Sequence, residues 1–177
     1  MNTRSIETGG RLVTYSSNIF IYSGRYVNQM PNTTDVAGQI HHELGLHREF
    51  LYQPPLPEIV EGMRSGYYVV ALNGRLQASA SVRPVGETNK KEIGGVVKAI
   101  QAEKGLAQVV VTEAVLLAQG MGASRVEARV ANSNNKALYF FRDLGAQERE
   151  FPEISNHTGR AVTVFDVTHL ATELNAI

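Results

Sequence analysis

The sequence predicts a single α/β domain, in which an antiparallel hairpin leads into a parallel strand–helix–strand unit. Residues 92–145 change from a strand pattern to a helical period, then to a second strand and a second helix. An Asn-Gly pair at positions 73–74 separates two strand-like runs just before this stretch. The chain has 177 residues, a length that suits one domain with one hydrophobic core.

Composition and charge narrow the class of protein. Hydrophobic residues make up 43% of the chain and charged residues 19%, which is typical of a globular protein. The 17 basic and 17 acidic side chains give a formal net charge of zero, which argues against a nucleic acid or an anionic membrane as the main partner. Without cysteine, a disulfide, a thiolate nucleophile and a cysteine-ligated zinc are all excluded.

Signals for export or membrane insertion are not found in the sequence. The first ten residues lack the apolar segment of a signal peptide. No apolar run approaches the roughly 20 residues that a membrane span needs. We therefore expect a soluble, cytoplasmic protein.

The first thirty residues contain short β-prone runs. Residues 11–15 and 18–22 flank a Ser-Ser pair and predict a hairpin or an additional sheet edge. Residues 26–29 predict another short strand.

Two helices are predicted next. A Thr-Thr-Asp sequence at residues 33–35 offers an N-cap for a helix over residues 36–48. The string HELGLH at residues 42–47 comes within one residue of the HExxH zinc-protease pattern, but histidines five apart diverge by about 140° around a helix. The sequence therefore predicts no metal site. A proline-rich connector at residues 53–57 leads to a short helix over residues 58–64.

Residues 67–85 give the clearest hairpin signal. Asn73–Gly74 predicts a type I′ turn, because that turn matches the twist of the flanking strands, here residues 67–72 and 75–85. Apolar and polar residues alternate in the second strand, which predicts one buried face and one face in water. The apolar set is Leu76, Ala78, Ala80 and Val82, and the polar set is Gln77, Ser79, Ser81 and Arg83.

The remaining elements follow from changes of period. They are strands over residues 93–100, 125–130, 146–151 and 161–167, and helices over residues 106–119 and 135–144. A loop centred on Gly105 joins the first strand to the first helix. Unpaired amides and the positive end of a helix dipole suit such a corner to phosphate. The donors would be the amides of residues 103–107, with Lys104 adding charge and the small Gly105 and Ala107 allowing close approach. The alternative is an ordinary strand-to-helix turn.

Residues in and after this loop resemble the GNAT superfamily, the acyl-coenzyme A-dependent N-acyltransferases. The signature of that family is Gln or Arg, two residues, Gly, one residue, then Gly or Ala. Gly105 and Ala107 match it, whereas the first position holds Ala102. The further matching positions are an apolar residue at the end of the preceding strand and a spaced set after the second strand, namely Val97, Asn134, Ala137, Phe141 and Gly145. The resemblance covers residues 66–167.

The resemblance implies a mixed, mostly antiparallel sheet of six or seven strands flanked by helices, with two central parallel strands that splay apart. It makes residues 1–30 an N-terminal extension of one domain over residues 1–177. It implies acetyl-coenzyme A, or another acyl-coenzyme A, as co-substrate, with no metal. The implied coenzyme contacts are Val97, Ala99, Ala102, Glu103, Lys104, Gly105, Leu106, Ala107, Asn134, Ala137 and Phe141.

The resemblance also implies a mechanism, in which a neutral amine attacks the thioester directly and the Val97 backbone holds the carbonyl. Glu92 is the candidate base, although it is equally explained as a charge at a strand end. The position that usually carries a tyrosine is Phe141, which has no hydroxyl. Tyr139 is the candidate acid, but it lies two residues earlier and about 200° around the helix, where it is equally explained as a packed or surface tyrosine.

Three functions remain open. The first is acetyl transfer to a primary amine of a small molecule or a protein. The second is transfer of a longer acyl chain, for which Gly94–Gly95 would leave space. The third is a non-catalytic acyl-coenzyme A-binding module, motivated by Ala102 and Phe141. Relatives are often dimers, so a homodimer paired through edge strands is a further expectation.

Overall fold

A computed structural model describes residues 2–8, 10–85, 89–149, 153–155 and 159–175 of the chain. The strands are β1 Thr3–Thr8, β2 Arg11–Ser16, β3 Phe20–Ser23, β4 Tyr68–Asn73, β5 Arg75–Pro84, β6 Lys90–Lys98, β7 Arg125–Ala131, β8 Gln147–Glu148, β9 Glu153–Ile154 and β10 Ala161–Asp166. The α-helices are α1 Thr33–Leu46, α2 Leu56–Arg64, α3 Leu106–Gly120 and α4 Asn135–Asp143, and short 3₁₀ helices cover Gly24–Gln29 and Thr168–Asn175.

The main sheet is mixed and mostly antiparallel, which confirms the predicted fold class. Its described strands are ordered β3-β4-β5-β6-β7-β10-β8, and β9 also pairs with β10. With the two-residue strands β8 and β9 included, the sheet has eight strands rather than six or seven. Only β6 and β7 run parallel among the pairs that the structure describes.

The parallel pair separates partway along its length. Pairing runs from Lys90 with Arg125 to Ile93 with Ala128 and then stops, although both strands continue. The edge of β6 that faces β7 over residues 94–98 therefore has no strand partner in the described part of the chain. This is the splay that the family resemblance implied.

Helices cover both faces of the sheet. Helix α3 packs on one face, in a cluster with Ala80, Val82 and Phe165, and α1 and α2 pack on the other. The expectation of a face in water on β5 is therefore wrong, because Gln77 and Ser79 are buried and α1 packs against this strand.

The runs at residues 11–15 and 18–22 do not form a hairpin with each other, because β2 pairs with β1, but the second run supplies the additional sheet edge that was the other expectation. Strand β3 instead joins the edge of the main sheet beside β4, because Ile19 is buried in the core and directs the chain there. The strand expected over residues 26–29 is also wrong. Gly24, Val27 and Met30 are buried at a spacing of three, which is the period of the observed 3₁₀ helix.

Two local predictions at turns are wrong as well. Helix α1 begins after Asn32, which has a left-handed φ of 56° and forms no side-chain cap, so the Thr-Thr-Asp sequence lies inside the helix. The 73–74 turn is not type I′, because only Gly74 has positive φ. A register shift between Ala71 and Leu72 accommodates the different turn.

Helices α3 and α4 and strands β7 and β10 match their predictions to within one residue. Strand β6 covers residues 90–98 rather than 93–100, and β8 is a strand only at Gln147–Glu148. Helix α3 keeps its helical form despite three consecutive valines, because those side chains are buried between the sheet on one side and β1, β2 and the C-terminal 3₁₀ helix on the other. The strand expected over residues 146–151 is described only as far as residue 149, and residues 150 and 151 lie outside the described part. Across the described ranges, no helix is both long and apolar enough to cross a membrane.

Candidate active site

A cleft of about 330 Å³ lies where β6 and β7 separate. One wall comes from Leu44 of α1 and the loop at residues 50–54. The other comes from Arg129 of β7, β9 and Val162 of β10. Glu92 and Gly94 of β6 form part of the floor. The cleft therefore joins the helical layer to the open edge of β6.

A bulge in β6 shapes the floor of this cleft. The register of β5 against β6 shifts between Ser79 and Ser81, and Gly95 takes a left-handed φ of 57°. Ser81 Oγ donates a hydrogen bond of 3.0 Å to the Gly94 carbonyl oxygen. A β-carbon on Gly95 would stand 3.4 Å from Leu44. The left-handed backbone thus accounts for Gly95, whereas a β-carbon on Gly94 would make only ordinary contacts, at 3.6 Å or more.

Glu92 is buried in the cleft floor and held by two arginines. Arg83 donates to both carboxylate oxygens, from Nη2 at 3.0 Å and from Nε at 3.3 Å. Arg129 Nη1 lies 3.6 Å from Oε2. A carboxylate has two acceptor sites on each oxygen, so this arrangement leaves capacity for a further donor.

Glu127, the neighbour of Glu92 across the parallel pair, is fully buried. Its carboxylate is surrounded by four cations: Lys90 at 2.8 Å, Arg125 at 3.2 Å, Arg129 at 3.4 Å, and Arg149. Arg129 therefore bridges two adjacent carboxylates that would otherwise repel each other. Its Nε also donates to Glu153 at 3.1 Å, which ties β9 to the cleft wall.

The loop before α3 has the features expected of an anion site. Gly105 is the residue before the helix and has a φ of 91°. The amides of the first three residues of α3 have no carbonyl one turn earlier, so they are available as donors. Leu106 is fully buried, Ala107 is half-buried and Lys104 is exposed. Leu106 can therefore offer only its backbone, while Lys104 can offer charge.

The other proposed coenzyme contacts lie along the same edge of the sheet. Val97 and Ala99 are buried at the end of β6, and the Ala102 amide donates to the Ala99 carbonyl. At the start of α4, the Asn134 side chain accepts from the Ala137 amide at 3.3 Å. Because α3 and α4 both begin beyond the carboxyl ends of parallel strands, the structure brings these two loops to one edge.

The two aromatic candidates on α4 do not line the cleft. Phe141 is 5% exposed and stacks on Phe165 at 5.4 Å, within the core on the α3 side of the sheet. Tyr139 is 72% exposed on the opposite side of the helix. The structure thus brings Glu92 into the cleft but neither aromatic candidate.

The cleft also contains Tyr68, Arg129 and Glu153, which no sequence pattern indicated as site residues, and Ser81, which was expected only on a face in water. Burial raises the pKa of Tyr68 to about 12, an effect that the nearby Glu58 reinforces and Arg83 opposes. Tyr68 is therefore a hydroxyl donor at neutral pH. The pairing of Tyr68 with Ser81, and of Ser81 with Gly94, places these residues in one row. The alternation on β5 pointed to that face, but not to what covers it.

No metal site accompanies this cleft in the described ranges, where no three potential ligand side chains lie close enough to share an ion. His41 and His42 of α1 do not line the cleft. The His41 carbonyl accepts from Gln53 at 2.8 Å, and His42 is exposed.

A sheet whose parallel strands separate beside a glycine-preceded helix, with a cleft at the fork, is the arrangement that the resemblance to the acyltransferases implied. The model of the Acetyltransferase (GNAT) family matches residues 36–146, which is more than half of the chain. The chain belongs to this family.

Solved structures share the fold at low sequence identity. N-acetylglutamate synthase from Neisseria gonorrhoeae, complexed with coenzyme A and N-acetyl-glutamate, is 17% identical with a TM-score of 0.64 over 88% of this chain. This chain spans only 37% of that protein. YncA from Salmonella typhimurium, solved with acetyl-CoA, is 16% identical with a TM-score of 0.62 over 85% of this chain and 92% of its own.

A third structure, an acetyltransferase from Streptococcus agalactiae, is 10% identical with a TM-score of 0.63, over 85% of this chain and 98% of its own. At these identities the likeness establishes the fold alone. Among curated proteins, none matches this chain.

Proposed function

We propose that this protein transfers the acetyl group of acetyl-CoA to a primary amine by direct attack. The observation that carries the proposal is the end of β6–β7 pairing at Ile93 and Ala128, beside a cleft. An extended amide-containing arm fits against the open edge of β6, because unpaired strand backbone recruits an additional strand-like partner. Its thioester would then lie at the fork, next to the cleft.

The phosphate end of the coenzyme is assigned to the start of α3. The unpaired amides of residues 106–108 and the helix dipole favour an anion there. Lys104 adds an exposed positive charge at the same place. The last residues of β6 run from the fork to this loop. One extended ligand lying along them therefore reaches both the cleft and the start of α3.

The amine is assigned to the cleft on the other side of the fork. Attack requires the neutral amine, so a group in the cleft must accept its proton. Glu92 is the carboxylate in the floor with acceptor capacity remaining, and it is the proposed base. Ser81 and Tyr68 supply hydroxyls that hydrogen-bond the amine or a relaying water.

The leaving thiolate does not require the α4 tyrosine that relatives have at position 141. A thiol of ordinary pKa, about 8.5, leaves as thiolate near neutral pH without a strong acid. Tyr139, exposed on α4, stays a prediction as acid. A cytoplasmic location and a homodimer likewise stay predictions.

The longer-chain alternative keeps part of its motive, because the bulge and the left-handed backbone account for Gly95 but not for Gly94. The non-catalytic alternative keeps its motive, since neither aromatic candidate reaches the cleft. The acceptor itself is a small-molecule or a protein amine.

Thermal unfolding with acetyl-CoA tests the coenzyme site. At about 100 times the dissociation constant, binding stabilises the protein by roughly 2.7 kcal/mol, which raises the melting temperature by about 5–10 °C for a chain of this size. Lys104→Glu is expected to reduce this shift. Arg64→Glu is the matched control, because Arg64 shares a groove with Gly120, at the far end of α3 from Gly105.

Release of free thiol in the presence of small amines and peptide amines tests the reaction. Amine-dependent release supports acetyl transfer. Stabilisation by acetyl-CoA without thiol release in the presence of any amine supports the non-catalytic alternative. A larger shift of the melting temperature and faster thiol release with longer acyl donors support the longer-chain alternative. The proposal is wrong if no acyl-coenzyme A stabilises the protein.

A further inference from the structure

The N-terminal hairpin contacts the loop that precedes α3. At the end of β2, the Ser16 amide donates a hydrogen bond of 2.9 Å to Glu103 Oε2. On the same strand, Val13 packs so that its Cγ1 stands 2.8 Å from the position of a β-carbon on Gly105. Strand β2 therefore makes a polar contact with Glu103 and an apolar contact with Gly105, two residues of the loop before α3.

A third contact joins the hairpin to α4. Arg11 donates to both carboxylate oxygens of Asp143, at 2.8 and 3.4 Å. Arg11, Val13 and Tyr15 alternate along β2 with exposed Leu12 and Thr14, so one face of the strand is directed at the domain. The hairpin is thus positioned by side chains of a single face.

Glu103 is otherwise out of place. A carboxylate beside an anion site repels the anion, whether or not its position is fixed. A role in holding the loop would offset that cost, and the Ser16 amide holds the Glu103 carboxylate at the hairpin. Charge-assisted hydrogen bonds of this kind are stronger than neutral ones, so the contact restrains the loop as well as the side chain.

We propose that the hairpin β1–β2 supports the coenzyme site from outside it, with Glu103 and Val13 as positioning residues for the loop at Gly105. They hold the backbone ahead of α3 in the conformation that presents its amides to phosphate. The inference rests on the proposed function for the identity of the ligand, coenzyme A. Val13 and Ser16 of the hairpin lie outside the family match at residues 36–146, whereas Glu103 lies within it.

The direction in which Glu103→Ala changes the affinity for coenzyme A distinguishes a positioning role from a purely electrostatic effect. Glu103→Ala removes a negative charge, which by itself strengthens the binding of an anion. If the carboxylate positions the loop, the same substitution instead weakens coenzyme A binding, by about five- to tenfold for the loss of one charge-assisted hydrogen bond. Glu103→Gln keeps an acceptor oxygen and is expected to bind at least as tightly as the wild type.

The experiment measures the dissociation constant of coenzyme A by calorimetry for these two variants, for Val13→Ala and for Leu12→Ala. Leu12 is the matched control, because it adjoins Val13 on β2 but is 72% exposed. Weaker binding in Glu103→Ala and Val13→Ala, with Glu103→Gln and Leu12→Ala like the wild type, supports the proposal. Binding by Glu103→Ala as tight as in the wild type, or tighter, overturns it.

Amide hydrogen exchange of the ligand-free protein makes the result independent of the proposed function. Glu103→Ala and Val13→Ala are expected to accelerate exchange at the hydrogen-bonded amides on either side of the loop, those of Ala102 and Val109, whereas Leu12→Ala leaves it unchanged. If the wild type does not bind coenzyme A, the proposed function fails, and exchange alone decides whether the hairpin restrains the loop. Unchanged exchange in both variants overturns the restraint.

Discussion

Val13 stands where a side chain on Gly105 would have to go, with its Cγ1 atom 2.8 Å from the position of a β-carbon there. Gly105 also has a φ of 91°, a conformation that costs other residues energy. Backbone conformation and packing thus require glycine at this position, whatever ligand α3 binds. A substitution of Gly105 would report first on folding, which is why Lys104 is the better probe of the coenzyme.

Gly105→Ala is expected to destabilise the protein by about 1–3 kcal/mol, because it combines a left-handed conformation with a collision. Urea unfolding measures the loss. Gly120→Ala is the control, since that glycine is helical with no atom near its missing β-carbon, and alanine there is expected to stabilise by up to about 1 kcal/mol. Val13→Ala should reduce the cost of Gly105→Ala in a double-mutant cycle. Strict additivity would contradict the contact.

Glu92→Gln is expected to lower turnover by about 100-fold or more if Glu92 is the base, with the affinity for acetyl-CoA unchanged. Because Glu92 also anchors Arg83, Arg83→Gln is the comparison, and unfolding of both variants is measured alongside the rate. If Glu92 is the base, Glu92→Gln lowers turnover far more than Arg83→Gln does. Equal losses would make Glu92 an anchor for Arg83.

Glu127→Ala is expected to cost up to about 3 kcal/mol in unfolding free energy, because it leaves a group of partly exposed cations without the buried carboxylate that they share. Glu148→Ala, which breaks the surface pair with Arg142, is the contrasting control and should change stability little. Chemical unfolding of both variants provides the measurement. Similar small effects would mean that the cations around Glu127 are solvated.

Glu113 predicts a pH dependence of stability. Burial on α3 raises the pKa of this carboxyl above its ordinary value near 4.5. The folded state therefore binds more protons than the unfolded state between the ordinary and the raised pKa, so stability falls as pH rises through that interval. Glu113→Gln should remove this fall and raise the melting temperature at pH 7. Melting curves from pH 4 to 8 test it, and parallel curves for variant and wild type would contradict it.

Phe141→Tyr is expected to destabilise the protein by about 1–3 kcal/mol without accelerating turnover. The ring stacks on Phe165 in the core, so an added hydroxyl would be buried without an evident partner. Unfolding and thiol release are measured on the same preparation. A faster variant would show instead that a hydroxyl at this position reaches the leaving group.

The sequence by itself determined the order of the later elements and the family. Residues 106–119 and 135–144 form helices as predicted, because apolar spacing and start signals act within a few residues of each other. The resemblance at Gly105 and Ala107 was confirmed by the family match. Local signals sufficed where an element's conformation depended on its own residues.

The tertiary structure decided which segments meet. The partner of β3, the burial of the polar face of β5 and the contact of Val13 with Gly105 join residues far apart in the chain. Glu92 acquires Arg129 as a partner only because β6 and β7 lie side by side before they separate. Periodicity shows that a side is apolar or polar but not what covers it, because that depends on the packing of other elements.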